Sequence, residues 1–397
     1  MASKLSRNVV ALGAVSFFTD VATEMIYPLL PLFLSSVLGA NASFIGAIEG
    51  AAESTAALLK LASGWWSDKV RKRKPLVVIG YGIATIARPF TAIAQTAAQV
   101  LAIRVTDRVG KGIRSAPRDA LLAESATPET RGRAFGFHAA MDNAGAVLGP
   151  LIAFVLIRQL DMSLRNVFWL AAIPGAVAFI VLLVAVKETE HRDEAASDKP
   201  KATIDTKARL GGRFWYYLAI VFLFTLGNST DAFLLLRANQ LGVAVALAPI
   251  LWAFLNLIKA ALGTWGGAMS DRFGRKPLII AGWTIYALVY FGFARATLQW
   301  HAWALFAAYA LFYALTEGTE KAFVADLIPR ERRGAAFGWF NLAIGLGALP
   351  ASIMFGAIWD RAGSSAAFVF GAALAIAASI GMLFVAPHPS EPHATPV

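Results

Sequence analysis

The chain has 397 residues, 57% of them hydrophobic and only 15% charged, with a formal net charge of +11 and no cysteine. A soluble chain carries about 25% charged residues, so a soluble multidomain enzyme is excluded, and the lack of cysteine excludes disulfides, thiolate metal sites and a cysteine nucleophile. The excess of Lys and Arg, which in a soluble protein would point to nucleic acid, here fits basic loops lying beside anionic lipid; no nucleic-acid partner is expected.

Apolar blocks near 20 residues, such as 167–186 and 366–386, have the length of a bilayer-spanning helix. In chain order they predict helices over 9–37, 44–66, 75–95, 98–123, 134–158 and 164–186. The first reads as a retained spanning helix and not as a signal peptide. Asp20 and Glu24 interrupt its apolar run, and the small-residue site Ala40–Ala42 lies too far downstream. A polar stretch, 187–213, reads as a cytoplasmic linker. The second half predicts helices over 214–236, 245–267, 277–297, 301–325, 335–358 and 364–386, then a polar tail. The expected fold class is an all-α polytopic membrane protein of twelve transmembrane helices. An N-terminal six-helix bundle takes residues 1–186 and a C-terminal bundle takes 214–397.

Lys69, Arg71–Lys74, Arg131, Arg133, Arg272, Arg275, Lys276, Arg330, Arg332 and Arg333 all fall in alternate loops. The loops between, 38–43, 95–97 and 238–244, carry no Lys or Arg. Basic loops stay in the cytoplasm, so both termini are expected inside the cell membrane.

The sequence also repeats. Gly64–x–x–Ser67–Asp68–Lys69 returns 203 residues later as Gly267–x–x–Ser270–Asp271–Arg272, and Arg131–Gly132–x–x–Phe135–Gly136 returns 202 residues later as Arg333–Gly334–x–x–Phe337–Gly338. Two similarly oriented six-helix halves follow, a plan common among secondary transporters, with the substrate site at the interface between halves. The repeat makes 98–123 a membrane helix although it carries Arg104, Asp107, Arg108, Lys111, Arg114 and Arg118. Their 3/4 spacing sets them along one side, and a charged stripe inside a membrane must face protein or water. At 1.5 Å per residue, Arg108 and Lys111 fall near the midplane. The predicted spans of the first half hold further acids, Asp20, Glu24, Glu49, Glu53 and Asp142, and bases, Lys60 and Arg88; Asp20/Glu24, Glu49/Glu53 and His138/Asp142 are i,i+4 pairs on single helix faces.

These motifs resemble those of the major facilitator superfamily. The Gly–x–x–Ser–Asp–Lys/Arg segment with its basic run matches that family's signature after helix 2, best in the second copy, since the first has an extra residue and lacks the glycine after Asp68. Tyr27–Pro28–x–x–Pro31 and Gly145–x–x–x–Gly149–Pro150 look like elements of the drug:proton antiporter subgroup, with Ala153 and Phe154 in place of the trailing glycines. Arg104 stands where that subgroup keeps an intramembrane arginine, followed here by Asp107–Arg108 in place of Gln–Gly. The resemblance implies alternating access between two halves and proton-coupled efflux of a small organic, amphipathic compound; the excess of Arg on helix 4 allows an anionic or zwitterionic one. It implies gating roles for Asp68 and Asp271, with Asp68 latching onto the positive N-terminus of helix 11. Arg73 would pair with Glu124 or lipid phosphates, and Arg131 and Arg275 would belong to the same gate. Gly145, Gly149 and Pro150 would give a close, kinked helix contact.

A carboxyl whose arginine partner is displaced by substrate takes up a proton. Asp20, Glu24, Glu49, Glu53, Asp142 and His138 are therefore the candidates for proton coupling. The simplest scheme sets Asp20 or Glu24 against Arg104 or Arg108. Arg104, Asp107, Arg108 and Lys111, with Asn228, Asp231, Arg237, Asn256 and Lys259 from the second half, are the candidate cavity residues; Trp252 and Phe254 are candidates to line it. A purely structural ion-pair network is the competing reading of the same charges. Uptake or exchange of an organic anion, and a non-transporting sensor or scaffold, are the competing functions. No phosphate-binding loop, nucleophile elbow or His–Glu–x–x–His motif occurs. No enzyme activity, cofactor or metal is expected; the expected partners are a substrate, protons and membrane lipid, with the chain a monomer.

Overall fold

The computed structural model describes residues 5–69, 73–127, 130–188, 210–329 and 332–385. Among these it contains helices and no strand. The transmembrane helices are numbered in chain order: α1 (Arg7–Ser36), α2 (Ala42–Lys69), α3 (Lys74–Ile93), α4 (Ala97–Glu124), α5 (Arg131–Arg158), α6 (Leu164–Ala185), α7 (Gly212–Gln240), α8 (Ala248–Phe273), α9 (Arg275–Arg295) and α10 (Gln299–Leu327). The helical run Arg333–Leu383 holds α11 (333–362) and α12 (364–383), broken at Gly363, whose φ of 87° only glycine adopts without strain. Eight of the helical runs are long and apolar enough to cross a membrane by composition alone, and α2, α4 and α10 are not among them. These three exceptions carry much of the chemistry below. Most of the linker, 189–209, and the basic residues Arg71, Lys72 and Arg330 lie outside the described residues.

The breaks within helices follow from sequence. Pro28 and Pro31 end the first segment of α1 at Ile26, and it resumes at Leu30. In α7 the break falls at the equivalent place, between Gly227 and Ala232. Pro89 tightens the end of α3 into a 3₁₀ turn over Arg88–Ile93.

Close packing runs through glycines. Added Cβ atoms at Gly46 and Gly50 of α2 would strike the α11 backbone at Ser352 and Leu349, and one at Gly356 would lie 2.5 Å from the Ala42 carbonyl oxygen. This seam joins the two halves. It is fastened at the end away from the basic loops by Asp360, which accepts hydrogen bonds from the backbone N–H groups of Ala42 (2.9 Å) and Ser43 (2.8 Å) at the start of α2. A carboxylate at a helix N-terminus meets unpaired donors and a favourable dipole. Near the basic loops the halves repeat one another in detail. Arg73 pairs with Glu124 (2.5 Å), joining α3 to α4, and Arg275 pairs with Asp326 (2.9 Å), joining α9 to α10; the two pairs are 202 residues apart. Lys74 donates to the carbonyl of Leu183, and Lys276 donates to those of Leu383 and Val385.

Candidate functional site

Helix α4 starts at a capping box. Thr96 accepts from the Gln99 backbone at 3.3 Å, and the Gln99 side chain accepts from the Thr96 N–H at 3.2 Å. From there its charged face turns toward α2 and α3. Arg104 grips Glu49 with two hydrogen bonds, Nε to Oε1 at 3.0 Å and Nη2 to Oε2 at 2.5 Å. One turn on, Arg108 Nη2 lies 3.2 Å from Glu53 Oε1. Acids at i,i+4 on α2 thus meet arginines at i,i+4 on α4, in register. Asp107 is held from α3: Arg88 Nε donates to it at 2.7 Å, and Arg104 and Arg108 flank its other oxygen at 4.0 and 3.9 Å. Glu49, Arg88, Arg104, Asp107 and Arg108 are all buried. An unpaired charge at mid-helix costs about 2.5–3.5 kcal/mol on insertion scales, which explains the pairing. Buried pairs rarely outdo an apolar replacement in stability, so their main effect is to fix α2, α3 and α4 in one arrangement.

The sequence scheme set Arg104 and Arg108 against helix 1; the structure gives both arginines to α2 instead. Among the described residues neither Asp20 nor Glu24 has an ion pair. Glu24 Oε2 accepts a 2.7 Å hydrogen bond from Trp252 Nε1 on α8, a link between the halves. Trp252 also packs on Tyr27, with ring centroids 4.9 Å apart. Asp20, Glu24, Tyr27, Arg108, Lys111 and Trp252 line a cavity of about 210 Å³. The Gly–x–x–x–Gly–Pro stretch of α5 lies directly behind those two acids. A Cβ on Gly145 would sit 2.9 Å from the Cβ of Asp20, and one on Gly149 would sit 2.7 Å from the Val21 carbonyl oxygen and 3.1 Å from the Cβ of Glu24. One turn toward the N-terminal end of α1 in the same α1–α5 seam, Asp142 accepts the Ser16 hydroxyl and faces His138 Nδ1 at 3.4 Å. His138 is buried, and its Nε2 finds no partner among the described residues.

The second half answers with tyrosines. Asp231, at the break in α7, accepts hydrogen bonds from Tyr309 (2.6 Å) and Tyr313 (2.9 Å) of α10. Lys259 of α8 rests 3.7 Å from the centre of the Tyr313 ring. With Glu317 and Lys321 these two residues line a further cavity of about 260 Å³. Tyr290 and Ser229 share a hydrogen bond of 3.2 Å.

Several candidates fall elsewhere. Arg237 is not a cavity residue: its guanidinium donates to the carbonyls of Phe293 (3.1 Å) and Ala296 (2.8 Å), where α9 leaves carbonyls without helical partners. Asn256 faces α5, with Nδ2 3.5 Å from the Ala146 carbonyl. Asn228 marks the end of the first segment of α7. Arg131 is exposed at the start of α5. The side chains of Asp68 and Asp271 lie outside the described residues. Four contributors were missed from the candidate set: Arg88, Tyr309, Tyr313 and Asp360. Shifting the α3 and α4 charges by the 202-residue repeat would have found the two tyrosines, since Asp107 and Lys111 map onto Tyr309 and Tyr313. No sequence signal marked Asp360 as the cap of α2.

Comparison with known proteins agrees with this architecture. The Major Facilitator Superfamily model matches residues 12–347 and 232–397. An uncharacterized MFS-type transporter of Methanocaldococcus jannaschii is 34% identical over 388 residues, covering 96% of both chains. The fosmidomycin resistance protein of Escherichia coli is 25% identical over 356 residues, covering 86% of this chain and 85% of its own. Among solved structures, the nucleoside transporter NupG superposes with a TM-score of 0.79 at 13% identity, covering 95% of this chain and 98% of its own. At that identity the likeness speaks for the fold alone.

Proposed function

The chain belongs to the Major Facilitator Superfamily, and on that premise we propose that this multi-pass membrane transporter exports a small organic compound in exchange for protons. The observation that carries the reading is the state of Asp20 and Glu24. Every other acid of the charged network in this half has a cationic or imidazole partner: Glu49 has Arg104, Glu53 has Arg108, Asp107 has Arg88 and Asp142 has His138. Asp20 and Glu24 line a cavity and have none among the described residues. Arg108 and Lys111 line the same cavity but form no ion pair with either acid, and a carboxylate within a membrane that is left outside an ion pair is the group on which a proton removes an uncompensated charge.

The link to movement runs through Trp252. A hydrogen bond to an ionised carboxylate is about twice as strong as one to a neutral group. Protonating Glu24 weakens its bond to Trp252 and loosens α1 from α8; releasing the proton restores it. The contact lies between halves, so a proton arriving at α1 biases how the halves lean together. Direct polar ties across the α2–α11 seam, such as Ser54 to the Gly345 carbonyl at 2.6 Å and Asp360 to the start of α2, are few enough to break and re-form. The direction of transport rests on the relative named for fosmidomycin resistance, since resistance is what export confers.

Inverted membrane vesicles carrying an imposed pH gradient test the reading. On adding compounds from a growth-resistance panel, the wild type should collapse the gradient with at least one of them. Asp20→Asn combined with Glu24→Gln should abolish that response while leaving compound binding in place. Compound flux unaffected by the proton gradient in the wild type would sink the proposal.

A further inference from the structure

The α1–α5 seam sets a second acid beside Asp20. Asp142 of α5 accepts the Ser16 hydroxyl, and Ser16 lies one turn before Asp20 on the same face of α1. Three residues after Asp142, a Cβ on Gly145 would sit 2.9 Å from the Cβ of Asp20. The turns bearing the two carboxylates are therefore neighbours, but their company differs. Asp142 faces His138 Nδ1 at 3.4 Å, and its side chain is 35% exposed while that of His138 is only 6% exposed. Asp20 lines the cavity and has neither an ion pair nor a hydrogen bond among the described residues. The other charges within range of Asp20 are Glu24 on its own helix and Lys111 and Arg118 on α4; Arg118 also reaches Asp142 but is bound to Asp119 at 2.8 Å. Across the gap, Lys259 of α8 reaches Glu24 and rests on the Tyr313 ring.

We propose that Asp142 and His138 set how firmly Asp20 holds the proton it exchanges, with His138 as the pH-sensitive member. Two neighbouring carboxyls resist ionising together, because each charge disfavours the other. The Ser16 hydroxyl and the imidazole both support a charge on Asp142, so Asp142 carries the charge and the proton stays on Asp20. The imidazole makes this balance adjustable. With Nδ1–H directed at Asp142, a neutral His138 buries only a lone pair at Nε2, which has no partner among the described residues. A second proton on the ring takes the His138–Asp142 pair from a net charge of about −1 to zero. Asp20 is then relieved of its neighbour's repulsion and gives its proton up to solvent. Solvent reaches the pair through the exposed side of Asp142. Ser16 and His138 lie nine and seven residues from the starts of α1 and α5, roughly 10–14 Å in at 1.5 Å per residue, so the pair stands between the basic-loop side and Asp20. Neither residue lines the cavity; both are positioning residues. The inference rests on the reading of Asp20 as a proton-exchanging group and adds what governs its proton.

Infrared pH-difference spectra of the full chain in lipid nanodiscs test this without depending on transport. The protonated-carboxyl band that disappears in Asp20→Asn reports Asp20. Asp142→Asn removes the neighbouring charge and should move the pH midpoint of that band toward acid by about one unit, tenfold in proton affinity. His138→Gln removes the ring that can take a second proton, leaves the Asp142 charge standing, and should move the midpoint the opposite way. Asp142→Glu keeps the charge and should return the midpoint close to that of the wild type, which separates loss of charge from disturbed packing. In the inverted vesicles the pH profile of substrate-driven proton movement should shift with the band, while compound binding in the nanodiscs persists. A midpoint indifferent to Asp142→Asn or to His138→Gln, one displaced in the same direction by both, or the absence of any band belonging to Asp20 overturns the proposal. The expected band shifts without substrate-driven proton movement in the wild type would leave the tuning of Asp20 standing and sink the transport reading instead.

Discussion

Helix α4 and its repeat partner α10 occupy equivalent places in the two halves, yet their inner faces share almost no chemistry. At the 202-residue offset, Arg104, Asp107, Arg108, Lys111 and Arg114 of α4 stand where α10 has Phe306, Tyr309, Ala310, Tyr313 and Thr316. Their neighbours differ in step: at the 203-residue offset of α2, Glu49 and Glu53 correspond to Trp252 and Asn256 of α8, and at the 202-residue offset Arg88 of α3 corresponds to Tyr290 of α9. One backbone plan therefore carries two kinds of interior. The first half is held in register by ion pairs. The second is held by packed rings, such as Tyr286 on Tyr290 at 4.1 Å and Phe224 on Trp283 at 4.5 Å. The basic-loop ends stay alike, Arg73–Glu124 matching Arg275–Asp326. Symmetry survives at that end and has been given up at the centre. Such a division suits a device in which one half handles charge and the other offers surfaces for an organic body.

Substitutions that carry one half toward the other put this contrast under strain. The largest effect is expected from Arg104→Ala, which leaves Glu49 buried without its partner; breaking a buried pair from one side costs about 3–5 kcal/mol. Glu49→Leu with Arg104→Phe replaces the ion pair by an apolar contact, with the phenylalanine that α10 carries at Phe306, and should restore most of the loss, measured as unfolding midpoints in detergent, while transport stays absent. A double variant no more stable than the single would mean that the two interiors are not interchangeable solutions.

A smaller effect is expected from Gly149→Ala, a position where the second half already has alanine, Ala351. The added methyl meets the Val21 carbonyl oxygen and the Glu24 Cβ, so overpacking should cost about 1–3 kcal/mol. Because it shifts the segment bearing Glu24, substrate-driven proton movement should fall further than substrate binding. Equal loss of the two in the vesicle and nanodisc assays would reduce the glycine to a packing role.

The smallest effect belongs to Tyr313→Phe, which removes one of two hydroxyls from Asp231 and costs about 1.5 kcal/mol. The ring under the Lys259 ammonium remains, so the loss should not exceed that of one hydroxyl, measured as an unfolding midpoint in detergent. A loss above about 3 kcal/mol would mean that the Tyr309 hydroxyl alone leaves Asp231 unsatisfied.

How much of this was written in the chain differs from element to element. Twelve helices and the likeness between halves were legible because apolar length and repetition are local properties; the break near Pro28 was not read, since 9–37 was expected as one helix. The charged stripe of α4 was legible as a face turned away from lipid because exposing those charges there is too costly. Even the α10 tyrosines could be read, by carrying the stripe forward one repeat.

The partners could not. Arg104 and Arg108 had two sets of acids at the same i,i+4 spacing to choose between, Asp20/Glu24 and Glu49/Glu53, and spacing along a helix says nothing about which neighbouring helix lies opposite. Packing decided it. Gly145 and Gly149 draw α5 against the α1 turns bearing Asp20 and Glu24, while α4 lies against α2 through Gly112, where a Cβ would strike Leu59. That choice leaves the α1 acids outside the ion pairs of the described residues, which is why the proposed proton exchange is assigned to them. Asp360 shows the same limit, because its role as the cap of α2 depends on residues more than 300 positions away. The sequence by itself determined which groups had to be kept from lipid, since the cost of exposing a charge there depends only on the residue. Only the tertiary structure decided which charges cancel and which stay outside the ion pairs, since that depends on which helices touch.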